Sequence, residues 1–240
     1  MGDITVKDNQ LYLHVFKWPQ NNKIHLSGLT NKVSGANILN NDNLKVNFKQ
    51  HKRGWITIEL PEDKPKTLVP VVALDIKGEL KIDQTIGIDP QIPTMISAIF
   101  AKCKGCKSKE LRWMQKFGEW KYADNLLNWQ DKGQGVWKVD VARAGQYLLE
   151  VEYSANDKVD FSEWYFEFNG KRLVMQALDT GERENSARQF AGRTLYRFRT
   201  DKVGVIELTT GKQTISVMPK SKVMAGGINL KAIHLKPVHN

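Results

Sequence analysis

The sequence predicts an all-β protein made of two consecutive antiparallel β-sandwich domains. Short runs of alternating apolar and polar residues, separated by turn residues, recur along most of its 240 residues, a pattern typical of all-β folds. The pair Asn169-Gly170 between two such runs is a strong signal for a β-hairpin. Hydrophobic residues make up 41% of the chain and charged residues 26%, which is ordinary for a globular protein and sufficient for packed cores.

The first part of the chain carries seven predicted strands. The second of them has apolar or aromatic side chains on both faces, since Leu11 and Leu13 point one way and Tyr12 and Phe16 the other. Antiparallel strands commonly have one polar face, so we expect this strand to be covered both by its own core and by a second surface. An Asp-Asn turn at 8–9, suited to left-handed backbone, precedes it. The predicted strands span residues 3–7, 10–18, 23–26, 36–39, 44–49, 54–60 and 68–77.

A joint between the two domains is predicted where prolines cluster. Pro90 and Pro93 stiffen the chain and disfavour helix. We therefore predict a first sandwich over residues 1–85, a linker over 86–98 and a second sandwich over 99–240.

The second part of the chain predicts a sandwich of eight or more strands. Periodicity leaves residues 94–102 open between a short helix and a strand. Trp137 begins an alternating strand and is expected to fill the core. The predicted strands span residues 136–141, 147–154, 164–168, 171–177, 195–199, 203–209, 213–218 and 228–237.

The opening stretch carries a resemblance to a known family. Residues 2–19 read GDITVKDNQLYLHVFKWP and resemble the start of the C-terminal β-sandwich of family 29 glycoside hydrolases, the α-L-fucosidases, which follows the catalytic (β/α)8 barrel. Lys17 departs from the pattern, because many relatives carry an acidic residue there. The chain lacks the barrel, with its carboxylate nucleophile and acid/base, so the resemblance implies the accessory region of a fucosidase rather than its active site.

The second domain resembles galactose-binding-like sandwiches. The segments that carry this resemblance are WKVDV at 137–141, AGQY at 144–147, YSA at 153–155 and GINLKAIHLKP at 227–237. Carbohydrate-binding modules and many fucosidase tails share this plan, so the resemblance implies a domain able to bind glycans. Fucosidases of this family are commonly exported to the periplasm or the cell exterior, and the location of this chain is left open by its sequence.

Catalysis by this chain alone is not expected. The sequence has no Gly-x-Ser-x-Gly, Walker or His-Glu-x-x-His motif. Glu150 and Glu152 share a strand face, but we expect them on the solvated face of the sheet rather than as the carboxylate pair of a glycosidase. An acidic loop at 157–163 could bind calcium, yet it lacks the EF-hand spacing. We therefore predict no catalytic residue, no metal ligand and no cofactor.

Both cysteines lie in one short motif, Cys103-Lys104-Gly105-Cys106. A structural zinc site would need two further ligands, for which His234 and His239 have a tolerable spacing. A local disulfide in an exported protein, or two free thiols, is the preferred interpretation.

Aromatic residues give the best indication of a binding site, because sugars stack on aromatic rings while polar neighbours bind their hydroxyls. The segment 117–125, interpreted as a loop, brings Trp120 and Tyr122 together with polar residues. Residues from the end of the same sandwich could border this site. The predicted glycan-binding residues are Trp120, Tyr122, Asn125, Asn185, Arg188 and Asn229.

The charge balance favours anionic partners without naming one. The chain has 36 basic and 26 acidic residues, a net charge of +10, but no groove-reading helix or RNA-binding motif accompanies the basic clusters. Two functions from different classes follow. The first is an accessory region that binds fucosylated or other glycans beside a catalytic barrel in cis or in trans; the second is a structural domain that covers such a barrel or docks on an acidic partner.

Overall fold

The computed structural model describes residues 2–41, 43–116, 118–184 and 193–238. Their secondary structure is almost entirely antiparallel strand, which confirms the predicted all-β class with two sandwiches. The chain divides into two compact units, Met1–Gly87 and Ile88–Asn240. No helix among these residues is long and apolar enough to span a membrane.

The first unit is a sandwich of two sheets. A four-stranded sheet has the order β1-β2-β7-β4 and a three-stranded sheet the order β3-β6-β5. Leu11, Leu13 and Val15 of β2 are buried in the core between them, as predicted. The strands are β1 (Gly2–Lys7), β2 (Gln10–Val15), β3 (Lys23–Leu26), β4 (Val33–Ile38), β5 (Asn47–Gln50), β6 (Ile56–Glu59) and β7 (Val71–Ile76).

The edge of this unit at β1 is apolar and open. Ile4 lies opposite Leu13 and Val6 opposite Leu11 in the strand register, yet Ile4 and Val6 are each 47% exposed. Phe16, just beyond β2, is 57% exposed. An uncovered apolar edge strand is a surface that proteins normally protect.

The second unit is a larger sandwich. One sheet has the order β10-β13-β20-β15-β16; the other has the order β11-β12-β21-β14-β19, with β9 also paired to β21. The strands, preceded by β8 (Ile86–Ile88), are β9 (Thr94–Ser97), β10 (Lys102–Lys104), β11 (Lys107–Lys116), β12 (Glu119–Leu127), β13 (Gln134–Val141), β14 (Gly145–Ser154), β15 (Glu163–Phe168), β16 (Lys171–Gln176), β17 (Arg183–Glu184), β18 (Thr194–Leu195), β19 (Arg199–Leu208), β20 (Gly211–Pro219) and β21 (Asn229–Pro237).

The core of the second unit is rich in aromatic residues. Trp137 is completely buried, as predicted, and its indole N–H donates to the carbonyl of Ser97 at 2.9 Å. Trp164 and Phe166 on β15 fill the same interior. The predicted hairpin at 169–170 is confirmed, because both residues have positive φ angles of 46° and 76° and Phe168 pairs with Lys171.

Two predictions about the segment before β13 need correction. The span 86–98, predicted as a linker, carries β8 and β9, which pair with β13 and β21 of the second unit, and Ile88 and Ile96 are fully buried there. Residues 117–125 were expected to form a loop, but β12 runs through Glu119–Leu127 and pairs with β11 along its length. The turn between them contains Gly118 at a φ of 78°, where glycine avoids the strain that other residues would have.

Within the described residues β12 meets β21 at one rung, Leu126 opposite Leu230. The rest of β11 and β12, residues 107–116 and 119–125, forms a two-stranded segment that we call the ribbon.

Candidate glycan-binding site

One face of the ribbon carries an exposed aromatic platform. Tyr122 lies opposite Arg112 and Trp120 opposite Met114 in the register. The guanidinium carbon of Arg112 is 4.4 Å from the ring centroid of Trp120 and 5.2 Å from that of Tyr122. The two rings remain 38% and 52% exposed. We call Arg112, Trp120 and Tyr122 the ribbon platform.

Arg112 orders this platform. A cation over an aromatic ring at an exposed site contributes about 0.5–1 kcal/mol, and here one guanidinium contacts two rings. Holding the rings in place before a ligand arrives lowers the entropy cost of binding. Arg112 was not among the predicted site residues; pairing the two alternating runs across the turn at Gly118 places it opposite Tyr122.

Two carboxylates occupy the next rung of the platform face. Glu110 and Asp124 lie directly opposite each other, and each is two positions along its strand from Arg112 or Tyr122, so all four side chains share one face. Among the described residues neither carboxylate has a hydrogen-bond or ion-pair partner. The platform therefore combines ring faces, guanidinium donors and carboxylate acceptors.

The other face of the ribbon packs against the domain. Trp113 contacts Tyr196 edge-on at 5.4 Å and Phe198 at 5.6 Å between ring centroids. Lys231 places its ammonium 5.5 Å from the centroid of the Phe198 ring. Leu111 on the same face is buried. These contacts anchor the ribbon and leave the platform face to solvent.

Asn125, one of the predicted ligand-binding residues, does not reach the platform. It lies three positions from Tyr122, so alternation turns it to the packed face, where it is fully buried. Its amide donates to the carbonyl of Ala123 at 2.8 Å. Among the described residues its side-chain oxygen has no hydrogen-bond partner. Its predicted role as a surface ligand is therefore not supported.

Asn229 also lies away from the platform. It begins β21 beside the rung formed by Leu126 and Leu230, and six residues of strand separate Leu126 from Trp120, about 20 Å at 3.3 Å per residue. Its amide donates to Glu182 at 2.7 Å. The remaining predicted residues, Asn185 and Arg188, lie outside the described residues, as does His239.

Glu182 lies in a second polar site at the end of the sandwich. The Ser154 hydroxyl donates to its carboxylate at 2.6 Å, and burial raises the pKa of Glu182. A cavity of about 580 Å³ adjoins it, with Asp157, Asp179 and Arg197 in its wall. Acidic and basic groups are mixed there, and the cavity has no exposed aromatic ring among its described residues.

Glu150 and Glu152 were expected on the solvated face but are both paired with cations of β21. Glu150 is only 6% exposed and lies 2.5 Å from the ammonium of Lys236. Glu152 accepts from Lys231 at 2.6 Å and lies 3.1 Å from the ring nitrogen of His234. The His234 hydrogen bond is the main cause that lowers the pKa of Glu152. A carboxylate held ionised in this way is unsuited to act as a general acid.

Cys103 and Cys106 form a disulfide, with their Cα atoms 5.6 Å apart, which decides between the two interpretations left open by the sequence. Cys103 belongs to β10, which pairs with β13 in one sheet, whereas the chain enters β11 of the other sheet at Lys107. The disulfide therefore lies at the base of the ribbon, where the chain crosses between sheets. In the described part of the chain no three His, Cys, Asp or Glu side chains are grouped to hold a metal ion.

The fold and the platform define a two-sandwich protein with an exposed aromatic surface, and its similarity to known proteins is structural. No protein-family model matches the chain, and no curated protein matches it in sequence. An α-L-fucosidase from Vibrio sp. strain EJY3 is similar to it with a TM-score of 0.54 and 16% identity, over 95% of this chain and 38% of the fucosidase. This similarity shows the fold alone, and the chain spans well under half of the fucosidase.

Two single modules are also similar. A family 35 carbohydrate-binding module from Clostridium thermocellum aligns with a TM-score of 0.44 and 17% identity, over 60% of this chain and 97% of the module. A module of the Cellvibrio mixtus lichenase 5A, solved with cellotriose, aligns with a TM-score of 0.42 and 16% identity, over 61% of this chain and 98% of the module.

Proposed function

We propose that this chain is the non-catalytic, glycan-binding accessory region of an α-L-fucosidase-like glycoside hydrolase. The ribbon platform is the observation that carries the proposal. Trp120 and Tyr122 expose ring faces on which the C–H faces of a sugar can stack. Arg112 supplies donors and Glu110 and Asp124 supply acceptors for hydroxyl groups, the combination expected of a small polar-ligand site.

The module acts by proximity. The first sandwich packs on the catalytic barrel, and the second sandwich, which begins near Ile88, presents the platform. Weak binding to fucosylated or other glycans then raises the substrate concentration near the barrel by linkage. The disulfide supports an exported protein, because disulfides persist in oxidising compartments and are rare in the cytosol.

Binding to a glycan array, with and without the aromatic rings, tests the proposal. Trp120→Ala and Tyr122→Ala should each weaken binding at least about tenfold, which corresponds to about 1.4 kcal/mol. Phe16→Ala, which removes an exposed ring from the first sandwich, is the matched control and should leave binding unchanged. If the wild-type protein binds no glycan, or if all three variants bind alike, the proposal is wrong.

The open edge of β1 supports a second candidate function, a structural domain that covers a catalytic barrel. Ile4, Val6 and Phe16 expose apolar surface at one edge of the first sandwich, and such an edge tends to pair with another chain. An Ile4→Lys/Val6→Lys variant should then be more monomeric than the wild type by sedimentation velocity. A wild-type chain that stays monomeric at high concentration would argue against this function.

A further inference from the structure

We propose that the ribbon platform selects uncharged, polyhydroxylated glycans and rejects sulfated and uronic ones, with Glu110 and Asp124 as the residues that set this preference. The inference rests on the proposed function and names its ligand class. The proposed preference is the opposite of the one that the composition suggests, because a net charge of +10 by itself favours anionic ligands.

In its described rungs from Glu110 to Trp120, the platform face carries more acidic than basic groups. Of the ribbon's basic residues, Lys109 and Lys121 alternate onto the opposite face. Lys121 is also paired with Glu119 at 2.6 Å. Arg112 is the one cation of the platform face in the described rungs from Glu110 to Trp120; together with the carboxylates of Glu110 and Asp124 it gives these rungs a formal charge of −1.

The two carboxylates need hydrogen-bond donors, and the hydroxyl groups of a sugar can supply them. Side chains directly opposite on neighbouring strands have Cβ atoms about 5 Å apart, and like charges in that position are destabilising. Ionised carboxylates only accept hydrogen bonds, so the hydroxyls of a neutral sugar can donate to both Glu110 and Asp124. A sulfate or carboxylate group would instead add a third negative charge to the same rung.

Arg112 does not cancel these carboxylates. Its guanidinium lies closer to the Trp120 ring, at 4.4 Å, than to the Tyr122 ring, at 5.2 Å. Trp120 is one rung nearer the turn at Gly118, so the side chain extends away from the rung of Glu110 and Asp124. The arginine orders the rings and donates to ligand oxygens, and the carboxylate rung keeps its own charge.

Binding to three soluble probes tests the inference: a neutral fucosylated oligosaccharide, a sulfated fucan oligosaccharide and an oligogalacturonate. Isothermal titration calorimetry at about 0.15 M ionic strength screens charge attraction beyond about 8 Å. The wild type should bind the neutral probe about tenfold or more tightly than either anionic probe. A Glu110→Gln/Asp124→Asn variant keeps the size of both side chains and should bind the anionic probes about tenfold more tightly than the wild type does.

A charge-matched control separates the effect of the two platform carboxylates from the effect of the net charge of the protein. Glu62→Gln/Asp63→Asn makes the same change in net charge at exposed positions of the first sandwich and should leave all three affinities unchanged. Tighter wild-type binding of the sulfated or uronic probe, lost in Trp120→Ala, would overturn the inference while leaving the proposed function intact. Equal gains in the control would also overturn it, and no binding of any probe would refute both.

Discussion

Removing the disulfide should lower the stability of the second sandwich by a calculable amount. Cys103 and Cys106 close a loop of four residues. The chain-entropy relation for a loop of that length gives about 2 kcal/mol. For a unit the size of Ile88–Asn240, 1 kcal/mol shifts the melting temperature by about 2–4 °C. A Cys103→Ser/Cys106→Ser variant should therefore melt about 4–8 °C below the wild type.

Thermal unfolding followed by circular dichroism, with and without dithiothreitol, measures this shift. Reduction should lower the melting temperature of the wild type to that of the double serine variant and leave the variant unchanged. The first sandwich contains no cysteine, so its own transition is an internal control. A wild type that melts within about 1 °C in both conditions would show that the crossover is held by its packing and not by the cross-link.

Three other predictions concern the platform and the paired carboxylates. Arg112→Ala removes the contact with both rings and should weaken glycan binding about tenfold in calorimetry, whereas Arg112→Lys should recover part of the loss. Glu152→Gln should destabilise the protein at pH 7 in urea unfolding. Because the folded-state pKa of Glu152 is lowered, the difference from the wild type should disappear as the pH falls below about 4.5 through that pKa. The folded-state pKa of Glu182 is raised, so the wild type should lose stability as the pH rises from about 4.5 through that pKa. Glu182→Gln should remove this pH dependence of the free energy of unfolding. An unchanged dependence would contradict the role given to Glu182.

The parts of the fold that sequence predicts well are those where local chemistry and burial agree. The turn before β2 contains Asp8 at a φ of 52°, which its short polar side chain tolerates. The strand Lys23–Leu26 was predicted with the bounds that the structure shows. Trp137 shares its strand face with Val139 and Val141, which are also completely buried. In these places a residue's own preference and its tertiary environment favour the same conformation.

The ribbon and the site are harder to predict because their pattern is set by contacts distant in sequence. β11 is dominated by charged residues, and its packed face is covered by Tyr196 and Phe198 from far along the chain. Trp120 and Tyr122 were identified as exposed aromatics, but their partner Arg112 follows only from the hairpin register. The alternation that exposes Tyr122 also buries Asn125. Asn125 was therefore wrongly predicted to lie on the surface beside the two aromatic rings.

In the described part of the chain one rung joins β12 to β21, and this affects how the domain can change. The platform face is a set of alternate positions on two strands whose backbone pairing depends mainly on each other. Substitutions at Glu110, Arg112, Trp120, Tyr122 and Asp124 alter exposed or half-exposed side chains and leave the buried aromatic core in place. The residues proposed to contact a ligand and the residues that form the core are therefore different, so a library varied at these five positions should return changed ligand preferences without loss of expression.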